Sequence, residues 1–267
     1  MPTPTGSMLS KDHPVEEIYL PRAPLALALA QVRFPQVPEL IDEEHISHLR
    51  DRLKQGYPIL REEKSVGLIL SAAGITEGPQ TERVLRFSDK VEVWQVSISQ
   101  NFIALSTAAY STREDFCARF EQVVALVADV VTPVVFDRVG IRYINRFTGE
   151  DLNKLDSLIT EPFLGLTSKL ATPAEITQSF TQTILHLEEA EIAARWGLLP
   201  SGAILDAALP PTAGPNWVLD VDTFQERKED FGAAEIGRRV REYAEIAYRF
   251  FRLAATDELL NHAGAGA

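Results

Sequence analysis

Apolar positions along the chain switch between a period of two and a period near 3.6, and the switches mark its elements. LALALAQVRF, residues 25–34, reads as a strand that Pro35 and Pro38 end. Ile46, Leu49, Leu53 and Tyr57 then recur at helical spacing across 42–57, and Pro58 stops that helix. Four short strands follow at 67–72, 84–88, 91–99 and 102–110. In the third, Val91, Val93, Gln95 and Ser97 share one face while Glu92, Trp94, Val96 and Ile98 share the other. The two-residue links Asp89-Lys90 and Gln100-Asn101 suit antiparallel hairpins. Ser111-Thr112-Arg113-Glu114 forms a capping start for a helix over 113–131, which Pro133 closes.

The strand RVGIRYINRF follows at Arg138–Phe147. A short helix near 152–160 comes next, then strands at 178–188, 191–198 and 203–208 and a proline-rich loop at 210–215. The strand WVLDVDTF at 217–224 leads into the longest helix, about 233–261. Phe116, Phe120, Val123, Val127 and Val130 step along one helix as Ile236, Val240, Tyr243, Ala247 and Phe250 step along the other, and each helix follows a strand ending in an aromatic residue, Tyr110 or Phe224. The expected fold is α+β, with two similar lobes, each an antiparallel β-meander covered by a long amphipathic helix. The expected layout is a disordered tail at 1–14, lobes at 15–150 and 151–262, and a flexible tail at 263–267.

Composition narrows the function classes. Across 267 residues, 45% hydrophobic and 24% charged, the net charge is −12. The first 150 residues carry 16 basic and 20 acidic side chains and the remainder 10 and 18, so the acidic excess lies mainly in the second half. This balance disfavours nucleic acid, whose non-specific binding needs surplus Lys and Arg. One cysteine, Cys117, excludes an intramolecular disulfide and thiolate-rich metal sites. No apolar run has the length of a membrane span and no signal peptide is visible, so a cytoplasmic protein is expected.

Candidate chemistry is sparse. On the 138–147 strand, alternation places Arg138, Gly140, Arg142, Ile144 and Arg146 on one face, the arginines about 13 Å apart. Arg138, Arg142 and Arg146 are candidate anion binders, because guanidinium forks match carboxylate and phosphate. The competing reading is that neighbouring carboxylates neutralise them. Asp220 and Asp222 share a strand face and are weak metal candidates; pairing with those arginines, or a turn cap at Asp222, are the alternatives. His45 and His48 lie three apart on a helix without a third ligand, and His186 lies two residues before Glu188 without a nucleophile beside it. Cys117 reads as a small core residue. P-loop, GxGxxG, GxSxG and HExxH patterns are absent. No cofactor is implied. Tyr243, Tyr248, Phe250 and Phe251 exceed what one buried stripe needs, which makes the last helix a candidate partner or homodimer surface.

PLALALAQVRF near the start, RVGIRYINRF at mid-chain and LDVDTF before the final helix resemble an uncharacterised, sporadically distributed bacterial protein family of about 250–270 residues. The resemblance would cover about 16–260. That family has no assigned activity or catalytic residues, so it transfers no role to any position here, and its patchy distribution implies mobile or defence-type loci. The expected function is a non-enzymatic interaction or regulatory protein with a protein partner, of accessory or antitoxin-like kind. The alternative is a small-anion or nucleotide sensor or enzyme that uses the arginine face between lobes.

Overall fold

The computed structural model describes residues 9, 15–71, 74–167, 176–203, 206 and 209–266, and over 64–82 the backbone alone. β1 (Leu25–Arg33) is followed by α1 (Glu43–Leu53), a long hairpin of β2 (Ile59–Ser71) and β3 (Gly74–Ser88), then β4 (Trp94–Ser99), β5 (Phe102–Thr107) and α2 (Arg113–Ala128). Next come β6 (Val135–Phe136), β7 (Arg138–Phe147) and the short helices α3 (Gly149–Asn153), α4 (Leu155–Leu158) and α5 (Glu161–Leu164). The chain closes with β8 (Ser179–His186), β9 (Glu191–Leu199), β10 (Asn216–Gln225), β11 (Glu229–Asp230), α6 (Ala233–Ala254) and α7 (Asp257–His262). The fold is α+β.

Nine strands form one antiparallel sheet in the order β2-β3-β4-β5-β1-β7-β10-β9-β8, and β6 pairs separately with β11. At its centre β1 pairs with β7, aligning Ala30 with Ile141 and Leu29 with Arg142. Residues opposite each other on paired strands point to the same side. Ala28, Ala30, Val32, Leu105, Val96, Ile141 and Leu219 therefore all reach one face, where they join a buried core with α1, α2 and α6. Full burial of each large aliphatic side chain contributes about 1.5–3 kcal/mol. The opposite face carries the arginine row. There Leu209 packs on Leu27 and Ile144, so the segment before β10 lies against this side.

Several local expectations shift. The hairpin β2/β3 extends well beyond 67–72 and 84–88. β4 begins at Trp94 because the Asp89 carboxylate accepts from the amides of Val93 and Trp94 and holds residues 89–93 in a turn. The long terminal helix ends at Ala254: Ala255 bridges to Ile159, and the Thr256 hydroxyl accepts from the Leu259 amide as the cap of α7. The strand expected at 203–208 falls partly outside the described residues, and neither Ala203 nor Asp206 is in a strand. The tail expected at 1–14 lies outside the described residues except Leu9. After α7, Ala263 is fully buried and its carbonyl accepts from the Arg22 amide at 3.0 Å.

Candidate functional site

On the arginine face, strand pairing brings carboxylates to the guanidinia. Arg142 donates from Nε to Asp220 Oδ1 at 2.7 Å, from Nη2 to Asp220 Oδ2 at 3.0 Å, and from Nη1 to Asp206 Oδ2 at 2.6 Å. From β9, opposite Asp220 in register, Arg195 donates to the same Oδ2 at 3.0 and 2.5 Å. Burial pulls the Arg142 proton affinity down, but hydrogen bonds to Asp220 and the charges of Asp220 and Asp206 outweigh it and hold the guanidinium above its ordinary value. Arg138 donates to Asp222 at 2.9 Å and lies 4.4 Å from the Phe224 ring centroid. Gly140 lets β10 come close at Phe224, since a Cβ there would stand 2.7 Å from Phe224 Cβ. Burial raises the Asp222 carboxyl above its ordinary value although Arg138 pulls it down. Arg146 donates to the Pro210 carbonyl at 3.0 Å, and desolvation lowers its proton affinity. Arg138 and Arg142 thus meet carboxylates rather than an open cleft, and Asp220 and Asp222 are engaged by arginines. Among the described residues, no three His, Cys, Asp or Glu side chains gather in a metal-binding group.

The aromatic residues of α6 face inward. Tyr243 is fully buried and donates to Gln225 Oε1 at 2.6 Å, and burial pushes its phenol up to about 12. Phe250 packs edge-on against Phe163, with ring centroids 5.6 Å apart, and Phe251 stacks with Tyr248 at 6.2 Å. Both phenylalanines are buried. The expected outward surface is absent for Tyr243, Phe250 and Phe251. One stripe would suffice for a helix on a sheet, but α6 packs on β7 and β10, on α2 and on the segment around Phe163. Cys117 is likewise buried, its thiol pushed up to about 12 by desolvation, which removes thiolate reactivity at neutral pH.

Tyr248 leads to a different feature, a cavity of about 420 Å³ between α6 and the sheet. Its floor is Tyr143 and Asn145 of β7 with Val221 of β10. Ala244 and Ala247 form the α6 wall, Ala108 to Arg113 the opposite wall, and Glu17 to Pro21 the roof. Small side chains at Ala108, Ala244 and Ala247 leave the space, and the β1/β7 register shifts between Leu25 and Leu27 at its edge. Although β7 is a central strand, Tyr143 is only half-buried, because the cavity lies against it. The Tyr110 and Tyr143 hydroxyls stand 3.4 Å apart, and Asn145 Nδ2 donates to the Leu219 carbonyl at 3.4 Å. Burial and the neighbouring Tyr110 raise the Tyr143 phenol well above its ordinary value, so it stays a neutral donor. At the rim the Glu17 carboxylate accepts from the Arg113 amide at 3.2 Å and lies 3.6 Å from Arg113 Nε.

Compared with protein-family models, curated proteins and solved structures, the chain matches none. Its resemblance to the sporadic bacterial family therefore stands on the three short segments alone. No helix among the described residues is long and apolar enough to cross a membrane.

Alternation of RVGIRYINRF assigns Tyr143 and Asn145 to the face opposite the arginines, but their role escapes sequence reasoning. The available signal was polarity: a phenol and an amide interrupt a stripe otherwise formed by Val139, Ile141 and Phe147. Glu17 and Arg113 carry no such signal, being 96 residues apart in sequence.

Proposed function

We propose that the protein is a non-enzymatic, ligand-responsive regulatory protein that takes a small amphipathic molecule between α6 and the sheet. The observation that carries this reading is the cavity itself, which combines alanine walls, the facing phenols of Tyr110 and Tyr143, the Asn145 amide and one arginine–carboxylate pair at its rim. Concave, largely apolar sites with a few convergent polar groups are where small ligands bind. Ala247→Phe would place a ring in the space while leaving the floor untouched. In a thermal-shift screen of small aromatic and aliphatic amphiphiles, wild type should gain at least about 2 °C with one class at saturating concentration, as expected for about 1 kcal/mol or more of linkage in a chain of this length. The Ala247→Phe variant should remain folded and lose that gain. Absence of any shift in wild type would overturn the reading.

A protein partner, in an accessory or antitoxin-like setting, has its own support. The edge strand β8 presents Phe180 and Ile184, 39% and 54% exposed, on the side of the sheet opposite α6. A cytoplasmic location suits the single thiol. The alternative anion site at Arg138, Arg142 and Arg146 has less support, since Asp222, Asp220 and Asp206 already hold the first two.

We also read the two halves as a duplication. With the division drawn before β7 rather than at 150, and the short β6 and β11 left aside, the first runs β-α-β-β-β-β-α from β1 to α2 and the second β, short helices, β-β-β, then α from β7 to α6. In each, the last meander strand returns beside the first strand, as β5 to β1 and β10 to β7.

A further inference from the structure

Resting on the ligand reading above, we infer that the cavity selects a monocarboxylate with an aromatic or short aliphatic body, which binds by displacing the Glu17 carboxylate from Arg113. Glu17 reaches Arg113 from a segment without regular secondary structure, and one oxygen accepts from the Arg113 amide while the other lies beside its Nε. A carboxylate already occupies the rim, so the chain itself supplies the chemistry that the position takes. Arg113 keeps unused capacity. Its side chain is 18% exposed, its guanidinium lies 5.5 Å from the Tyr248 ring, and its buried Nη2 has no hydrogen-bond partner among the described residues. A ligand carboxylate that engages Nη2 would make one charge-assisted bond more than Glu17 makes.

Charge count selects the ligand class. Arg113 is the lining cation, and Glu114 and Asp115 follow it in the first turn of α2. Those two carboxylates do not line the cavity and are engaged by Arg241 and Arg119, so the charge that a ligand meets is the one guanidinium of Arg113: a single negative charge matches it, and a dianion such as a phosphate monoester exceeds it. Below the rim, apolar Ala244, Ala247 and Phe251 suit a hydrocarbon or ring, and the Tyr143 phenol and Asn145 remain for a polar tail. The roof can yield locally. Residues 15–24 are held by Ile18 N donating to the Tyr248 hydroxyl at 3.0 Å and by Arg22, whose amide donates to Ala263 and whose side chain donates to the His262 carbonyl. Release of Glu17 leaves both anchors in place.

The experiment titrates the full chain calorimetrically with phenylbutyrate, with its uncharged amide phenylbutyramide, and with phenyl phosphate. In wild type, phenylbutyrate should bind at least about tenfold more tightly than the amide or the phosphate, since each 1.4 kcal/mol is a factor of ten. Glu17→Gln should tighten phenylbutyrate by about tenfold and leave the amide within about twofold, because the competing charge is gone and the site's shape is kept. Arg113→Gln should abolish the acid-over-amide preference, and Glu17→Gln alone decides the matter if that variant misfolds. Equal binding of acid and amide, unchanged in Glu17→Gln, overturns the carboxylate selection but keeps the cavity as a ligand site. Tighter binding of phenyl phosphate than phenylbutyrate also overturns it. No binding of any probe to wild type or to Glu17→Gln overturns the carboxylate selection, while the thermal-shift screen decides the cavity reading separately.

Discussion

Asp220 is 1% exposed and accepts four hydrogen bonds from the two guanidinia of Arg142 and Arg195. Removing one member of such a buried group leaves the others desolvated and unpaired. Asp220→Asn should therefore cost about 3–5 kcal/mol, read as a lower urea midpoint. Asp222 should behave differently, although it also faces an arginine. Burial already penalises its charge, and Arg138 retains Glu226 at 3.4 Å and the Phe224 ring. Asp222→Asn should stay within about 1 kcal/mol of wild type at pH 7. The pH dependence gives the same contrast with a sign. A carboxyl raised in the folded state favours folding when protonated, so its contribution is full below its ordinary 3.8 and is lost as pH rises through the folded value. Asp222→Asn should remove that slope as pH rises above 3.8 in urea melts, and an unchanged profile would contradict the burial argument.

At the scale of elements, β8 depends on a backbone that tolerates no side chain at one point of β9. Gly197 has φ +143°, and a Cβ there would lie 1.9 Å from the Ser179 carbonyl oxygen and 2.9 Å from Phe180 Cα. Gly197→Ala should push β8 from its partner at a cost of about 1–3 kcal/mol of local strain. Hydrogen exchange of the amides at 179–186 should quicken by at least about tenfold while those of β10, held on both sides, change little. Equal quickening in both strands would mean global rather than local loosening. Gly197 stands in EIAARWGLL without a turn signature, so its constraint belongs to a neighbouring strand and not to local sequence. The α6–α7 break is of the other kind. Thr256 followed by Asp257 and Glu258 is a capping pattern, yet the apolar stripe running through it reads as one continuous helix until the Ile159 bridge occupies Ala255.

Across the whole molecule, the uneven charge has a structural counterpart. Arginines of the first half meet acids of the second, as in Arg138 with Asp222 and Arg142 with Asp220 and Asp206, and Arg241 of α6 reaches back to Glu121 at 2.7 Å. β7 of the first half and β10 of the second pair through one ladder within a single core cluster. The chain should unfold in one cooperative step, with calorimetric and van't Hoff enthalpies equal. Two resolved transitions would mean that the two halves are energetically independent despite their shared sheet.

Alternation and helical spacing by themselves determined the elements and which residues share a face: β1, β7, β10, α2 and the start of α6 stand close to where the pattern puts them, and the arginines stand on one side of β7. Those are properties of neighbouring residues, governed by period-two and 3.6 geometry. Strand order, the choice of carboxylates over solvent around Arg138 and Arg142, the inward turn of the α6 aromatics and the cavity roofed by Glu17 were decided only by tertiary structure. Each depends on residues far apart in the chain, and on the space that small side chains leave between packed elements, which no local pattern encodes.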